Sequence, residues 1–149
     1  MKKKRNRVIC AVLAVLWTAC IWGQSLMSSD LSSWESTSVV TVVNNTLSGM
    51  GLSLSLTENM VRKTAHFLEY MILGILVSGA VLNGTLRNHF YKLGFTLILV
   101  PLLDETIQLF IEGRSGAIQD VWLDFAGCCA GAAVFLLIRL VVSHKRRSS

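Results

Sequence analysis

The sequence is poor in charge, in proline and in the short motifs of soluble chemistry. Charged residues make up 15% of the chain, against about 25% in an ordinary soluble domain. With 52% hydrophobic residues, a disordered chain is excluded, because disorder needs low hydrophobicity and abundant charge. A single proline excludes Pro-rich and collagen-like architectures. No Gly-rich loop precedes a helix, so a phosphate cradle of the nucleotide-binding kind is missing. Ser115 follows Arg114 without a Gly-x-Ser-x-Gly setting, which leaves a serine hydrolase unsupported. No internal repeat points to an inverted-repeat transporter. The four cysteines, Cys10, Cys20, Cys128 and Cys129, lack Cys-x-x-Cys or Cys/His zinc spacing. They read as small apolar packing residues, with adjacent Cys128 and Cys129 on different helix faces. No metal and no cofactor is expected.

What the chain has instead is long apolar runs. Its 149 residues suit one domain, 1–149. Four stretches, about 8–27, 65–82, 93–111 and 121–142, approach the length of about 20 apolar residues that crosses a hydrocarbon core about 30 Å thick. The second is the shortest and carries His66 and Glu69. The runs are apolar all round, unlike the alternating strands of a β-barrel. The expected fold is therefore all-α, an integral membrane four-helix bundle. The first stretch follows a basic segment as a signal peptide would. Its apolar core is longer than an h-region and lacks a clean cleavage site, so it reads as a retained anchor.

Charge sets the expected orientation. Residues 1–7, the 83–92 loop and the tail from Arg139 hold eleven basic residues and no acidic one. If the chain crosses four times, these segments share one side. The other side then holds all nine acidic residues with only Arg62, Lys63 and Arg114. The positive-inside rule places the basic side, and both termini, in the cytoplasm. The basic segments are topology signals first, and no nucleic-acid partner is expected.

Residues 28–61 form the one long connection, on the outer side. Leu31, Trp34, Val39, Val42, Val43, Leu47 and Met50 recur at roughly helical spacing, and Ser32-x-x-Glu35 is a candidate capping box. The segment fits an amphipathic helix on the membrane surface. The β-branched run from Val39 to Val43 weakens that reading, and Asn44, Asn45, Ser48, Gly49 and Gly51 interrupt it. Trp17, Trp22, Trp34 and Trp122 read as belt or core residues.

The polar residues near the outer helix ends carry the functional signal. Arg62, His66 and Glu69 are spaced i, i+4, i+7 and share a face, with Tyr70 beside them. Asp104, Glu105 and Gln108 form a second polar face, followed by the turn Glu112-Gly113-Arg114-Ser115-Gly116. Asp120 and Asp124 open the fourth helix, with Gly127 and Gly131 continuing as a small-xxx-small packing surface. Counting 1.5 Å per residue, Glu69 and Asp104 lie at one depth, roughly 10–12 Å in, with Asp124 shallower. A lipid-facing charge there costs at least about 2.5–3.5 kcal/mol, so these groups are expected to face each other. Pro101 should kink the third helix and turn Asp104 and Glu105 inward.

At these residues the chain resembles the VanZ-like family of small bacterial membrane proteins, over roughly residues 60–135. One block is Arg62-Lys63-x-x-His66-Phe67-x-Glu69-Tyr70-x-x-x-Gly74. The other is Asp104-Glu105-x-x-Gln108, then Gly113-Arg114, Asp120-Val121, Asp124 and Gly127. The resemblance implies a multi-pass protein of the bacterial cytoplasmic membrane, linked to teicoplanin (glycopeptide) resistance. It defines no biochemical activity, so whether the chain is an enzyme stays open. Two positions depart from the pattern. Ile107 stands where relatives commonly have His, and Glu112 where many have Pro, which removes a second imidazole.

Each candidate has two readings. His66, Glu69, Asp104 and Glu105 are the catalytic candidates, as a proton shuttle and acid–base groups. They are equally partners and counter-ions within the bundle. Arg62 and Arg114 suit a phosphate or carboxylate clamp, with Tyr70, Gln108, Asp120 and Asp124 completing a ligand site. The alternative pairs the arginines inside the bundle and makes Gln108 interhelical glue. Lys63 reads as a snorkelling anchor. Acids outnumber bases, an excess that calls for protonation, a cation or a cationic ligand group. The expected partners are the lipid bilayer and an anionic lipid or lipid-linked cell-wall precursor. A scaffold with a purely structural cluster is the main alternative, and a small ion or solute carrier the weaker one. Oligomeric state is not legible.

Overall fold

A computed structural model describes residues 2–26, 29–51, 55–82, 90–111 and 117–145, without the side chains of 2–3, 29–36 and 90–91. Within these, the chain is all-α, with no strand. Five helices follow one another: α1 (Lys2–Ser25), α2 (Ser29–Gly49), α3 (Glu58–Val81), α4 (Phe90–Gln108) and α5 (Ile118–Lys145).

The fifth helix, α2, falls in the segment expected to form an amphipathic helix beside the four spans. The 28–61 segment is largely helical, because α2 runs unbroken through Val39–Val43 and Asn44 and ends only at Gly49. Gly51 closes that end at φ 76°, a backbone conformation other residues avoid. The helix starts at Ser29, so Ser32 is not its cap; the Ser32 and Glu35 side chains lie outside the described ones. Asn44 survives inside the helix because its amide works elsewhere. It donates to the Leu56 carbonyl at 3.1 Å and accepts from the Leu56 N–H at 2.8 Å. Thr37 adds a bond to Glu58 Oε1 at 2.7 Å. Together they tie α2 to the start of α3.

Three helices, Lys4–Ser25, Glu58–Val81 and Ile118–Lys145, are long and apolar enough to cross a membrane. The fourth expected span, α4, has 19 residues and carries Lys92, Asp104 and Glu105. Both α3 and α5 begin earlier than their apolar runs. Thr57 caps α3, its hydroxyl accepting from the Met60 N–H at 3.3 Å, with Glu58 in the first turn. Pro101 is buried within α4, which continues helical on both sides of it.

Helix α3 is the hub, touching all four others, and its contact with α5 is the largest. Glycines set that contact. A Cβ on Gly127 would sit 2.5 Å from the Phe67 carbonyl oxygen. One on Gly131 would strike the Met71 carbonyl, and one on Gly74 the Cys128 carbonyl. The packing role expected of Gly127 and Gly131 is thus what the backbones require, and Gly74 supplies the matching notch from α3. Tyr70, Leu73, Val77 and Cys128 fill the seam. Trp17 of α1 joins it by donating to the Glu69 carbonyl at 2.9 Å. Outward faces are apolar: Val15 is 70% exposed, Leu137 60% and Val141 68%. A surface of this kind on three long helices matches a lipid environment.

Cysteine roles divide. Cys128 is buried and its neighbour Cys129 exposed, as opposite faces require, but Cys20 is exposed too. The packing role expected of all four therefore fails for Cys20 and Cys129. Trp122 is 60% exposed, as a belt residue would be. The side chain of Trp34 lies outside the described ones.

Candidate functional site

The two ends of the bundle differ in charge. At one end Arg139 of α5 donates to the Leu82 carbonyl at 2.5 Å, holding the C-terminus of α3. Cys10 of α1 packs near Gly79 there, so Lys4, Arg5, Arg7 and Lys145 gather toward this end. The described acidic side chains gather at the opposite end, where α1 and α4 finish and α3 and α5 begin.

Two of the acids have partners at the start of α5. Asp120, in the first turn of α5, pairs with Lys63 of α3, Oδ1 to Nζ 2.8 Å. Lys63 was expected to anchor at the interface, and it instead bridges α3 to α5. Glu105 Oε2 accepts the Ala117 N–H at 3.0 Å, which places its carboxylate at the N-terminus of α5. Arg62 is exposed and lies within electrostatic reach of Glu105. Glu69 is part-buried, on the Asp104 side of α3.

The deeper acids are different. Asp104 is 0% exposed and Asp124 1%. Ligand atoms of His66, Asp104 and Asp124, from α3, α4 and α5, all lie within 4.8 Å of one another. Tyr70, fully buried, shares the field of both aspartates. Asp124 was expected to sit shallower than Asp104. Because α5 begins at Ile118, Asp124 is already more than a turn into its helix, and it meets Asp104 at the centre. Gln108, 7% exposed, donates to Asp104 Oδ2 at 3.4 Å and to Ser25 Oγ of α1 at 3.3 Å. That is the glue expected of it, and it also holds one oxygen of Asp104. Neither carboxylate oxygen of Asp124 has a hydrogen-bond partner, nor has Asp104 Oδ1.

The trio can bind a proton or a cation between its members, since two close buried carboxylates need one or the other. An imidazole beside them can exchange that proton or coordinate that cation. Arg114, Glu112 and Gly113 lie outside the described residues, so the second half of the expected arginine clamp has no position here. The residues that sequence reading missed are Lys63 and Ser25. Lys63 stands in an i, i+4 relation to no acid, and its partner Asp120 is 57 positions away. Ser25 follows an apolar run and carries no pattern of its own.

A family model described as VanZ/LLP1 matches residues 10–139. No curated protein and no solved structure matches the chain.

Proposed function

We propose that this chain, which belongs to the VanZ/LLP1 family, is a multi-pass protein of the bacterial cell envelope whose acidic bundle end recognises a lipid-linked or cell-wall-related ligand. In this reading α4 crosses as a fourth span and the bundle has four transmembrane helices with α2 on the outer surface. Both termini are cytoplasmic, and the polar end opens outward. The segregation of basic residues to the α1 N-terminus and the α5 C-terminus supports that orientation.

One observation carries the reading. Asp124 is buried, and both its carboxylate oxygens lack a partner, while Asp120 is ion-paired to Lys63 and Glu105 accepts the Ala117 N–H. A purely structural cluster has no use for such a group, because an unpaired buried carboxylate destabilises the fold by several kcal/mol or takes up a proton. Groups kept at a stability cost are characteristic of working sites. Arg62, exposed beside Glu105, is placed to meet an anionic headgroup at the rim. His66, Glu69 and Asp104 handle protons or charge beneath it. The ligand is an anionic lipid or lipid-linked wall precursor, and its engagement contributes to glycopeptide resistance.

The test is a set of charge-removing variants, Asp124→Asn, Asp104→Asn and Arg62→Gln, expressed in the same host. Membrane abundance and teicoplanin susceptibility are both measured. Wild-type abundance with lost protection supports a working site. Loss of both together indicates a structural cluster, and full protection by Asp124→Asn contradicts the reading. Identifying the lipids that co-purify with the wild type, and are lost with Arg62→Gln, names the ligand class.

A further inference from the structure

We infer that His66, Asp104 and Asp124 form a binding site for one divalent transition-metal ion of the zinc or manganese class. The trio brings one ligand atom from each of three helices within 4.8 Å of the others. Ligand atoms bonded at about 2.0–2.2 Å to one ion lie at most about 4.4 Å apart, so a small closing of the three side chains seats an ion between them. The donors are one nitrogen and two oxygens, a mixed set that favours zinc or manganese over magnesium, which takes oxygen ligands and keeps its waters.

Independent observations point to a ligand there. Asp124 is 1% exposed with both oxygens unpartnered, and Asp104 is 0% exposed, its carboxylate beside the Tyr70 hydroxyl. Fully ionised, they carry two negative charges, which neither Lys63, taken by Asp120, nor Arg62, exposed, neutralises. A divalent cation neutralises both, which a single shared proton does not. Gln108 completes the arrangement. Its amide donates to Asp104 Oδ2, leaving Oδ1 directed to the ion, and Ser25 accepts from the same amide. Orientation of a carboxylate ligand through its second oxygen is the usual support around a bound metal. Three protein ligands leave at least one coordination position for water or for an anionic group. Gln108 is thus a positioning residue, and the three ligands act on the ion directly.

No sequence motif announces this site. Its members lie at positions 66, 104 and 124, one per helix, so no ligand-spacing rule connects them. The cysteine-based reading that expected no metal looked for a different chemistry.

The inference does not rest on the wall-ligand reading, and its test uses no susceptibility assay. The full-length protein is purified in mild detergent, stripped with chelator, and re-equilibrated separately with zinc, manganese, cobalt and magnesium. Bound metal is counted by elemental analysis, and cobalt is followed by its visible absorption. We expect one zinc or manganese ion per chain, with magnesium binding at least tenfold weaker. Cobalt should show the intense absorption of a low-coordinate nitrogen–oxygen site. Asp124→Asn and His66→Gln should each lower bound metal below a tenth of an ion. Gln108→Ala should weaken affinity about 10–100-fold while the stoichiometry at saturating metal stays at one. Glu58→Gln, outside the cluster, should match the wild type. A folded, monodisperse wild type that binds no zinc or manganese overturns the inference whatever the variants do. So does equal binding by wild type and Asp124→Asn.

Discussion

Substituting Gly131 by alanine tests how the bundle is held together. Two effects oppose. Alanine is a better helix former than glycine by about 0.8–1.0 kcal/mol. The added methyl, however, would strike the Met71 carbonyl oxygen, with the Met71 carbonyl carbon at 2.9 Å and the Ile75 nitrogen at 3.0 Å. All three are backbone atoms of α3, so no rotamer change relieves the contact. α3 has to move away from α5, and a gap of roughly 0.5–1 Å already forfeits a quarter to a half of each dispersion contact along the seam. Overpacking of this kind costs about 1–3 kcal/mol, which exceeds the gain in propensity. Gly131→Ala should therefore destabilise by up to about 2 kcal/mol after that offset. Gly23 and Gly94 provide the contrast, since a Cβ at either would meet nothing within 4 Å. Gly23→Ala and Gly94→Ala should stabilise by about 0.5–1 kcal/mol. Unfolding of purified protein in mixed mild detergent and dodecyl sulfate, followed by circular dichroism, measures all three. Opposite signs are expected. Gly131→Ala at or above wild-type stability would refute the close α3–α5 backbone approach.

Three further substitutions probe the ties between helices. Lys63→Met should lower stability by only about 0.2–1 kcal/mol, because the Lys63–Asp120 pair is half exposed. The difference from wild type should shrink as salt rises, and a salt-independent loss would mean that the lysine acts by packing. Asn44→Ala removes both bonds to Leu56, each worth about 0.5–1.5 kcal/mol. Amide exchange at Leu56 should accelerate while α5 stays protected; unchanged exchange would contradict the α2–α3 tie. Trp17→Phe deletes the donor to the Glu69 carbonyl and should cost about 0.5–1.5 kcal/mol. Unfolding that matches the wild type would show that α1 docks without it.

Much of the architecture was legible because lipid solvation imposes simple rules. Apolar runs of spanning length gave α1, α3 and α5, and small residues four apart gave the α5 face that meets α3. What sequence reading lost was where polar residues extend a helix beyond its apolar run. Glu58 to Thr64 belong to α3, and Ile118 to Asp120 to α5, so Asp124 lies deeper than an apolar boundary implies. The outer segment is the helix its spacing suggests, and the signals against it, at Val39–Val43 and Asn44, do not break it. Valine and asparagine disfavour an isolated helix, but Asn44 and Thr37 gain partners on the neighbouring chain that override propensity. In the site, face arithmetic correctly grouped His66 with its neighbours on α3. It could not rank the acids, because which carboxylate finds a partner depends on contacts between helices. Lys63 taking Asp120 and the Ala117 N–H taking Glu105 are such contacts, and Asp124 is left with neither oxygen hydrogen-bonded.

The most direct test is the unfolding free energy of Asp124→Asn, measured after chelation against wild type treated alike. If the buried carboxylate is retained for work and not for structure, the neutral variant is as stable as the wild type or more stable. A loss of about 3–5 kcal/mol, the usual result of breaking a buried ion pair, would mean that Asp124 is locked to a partner and that the cluster holds the helices together without further purpose.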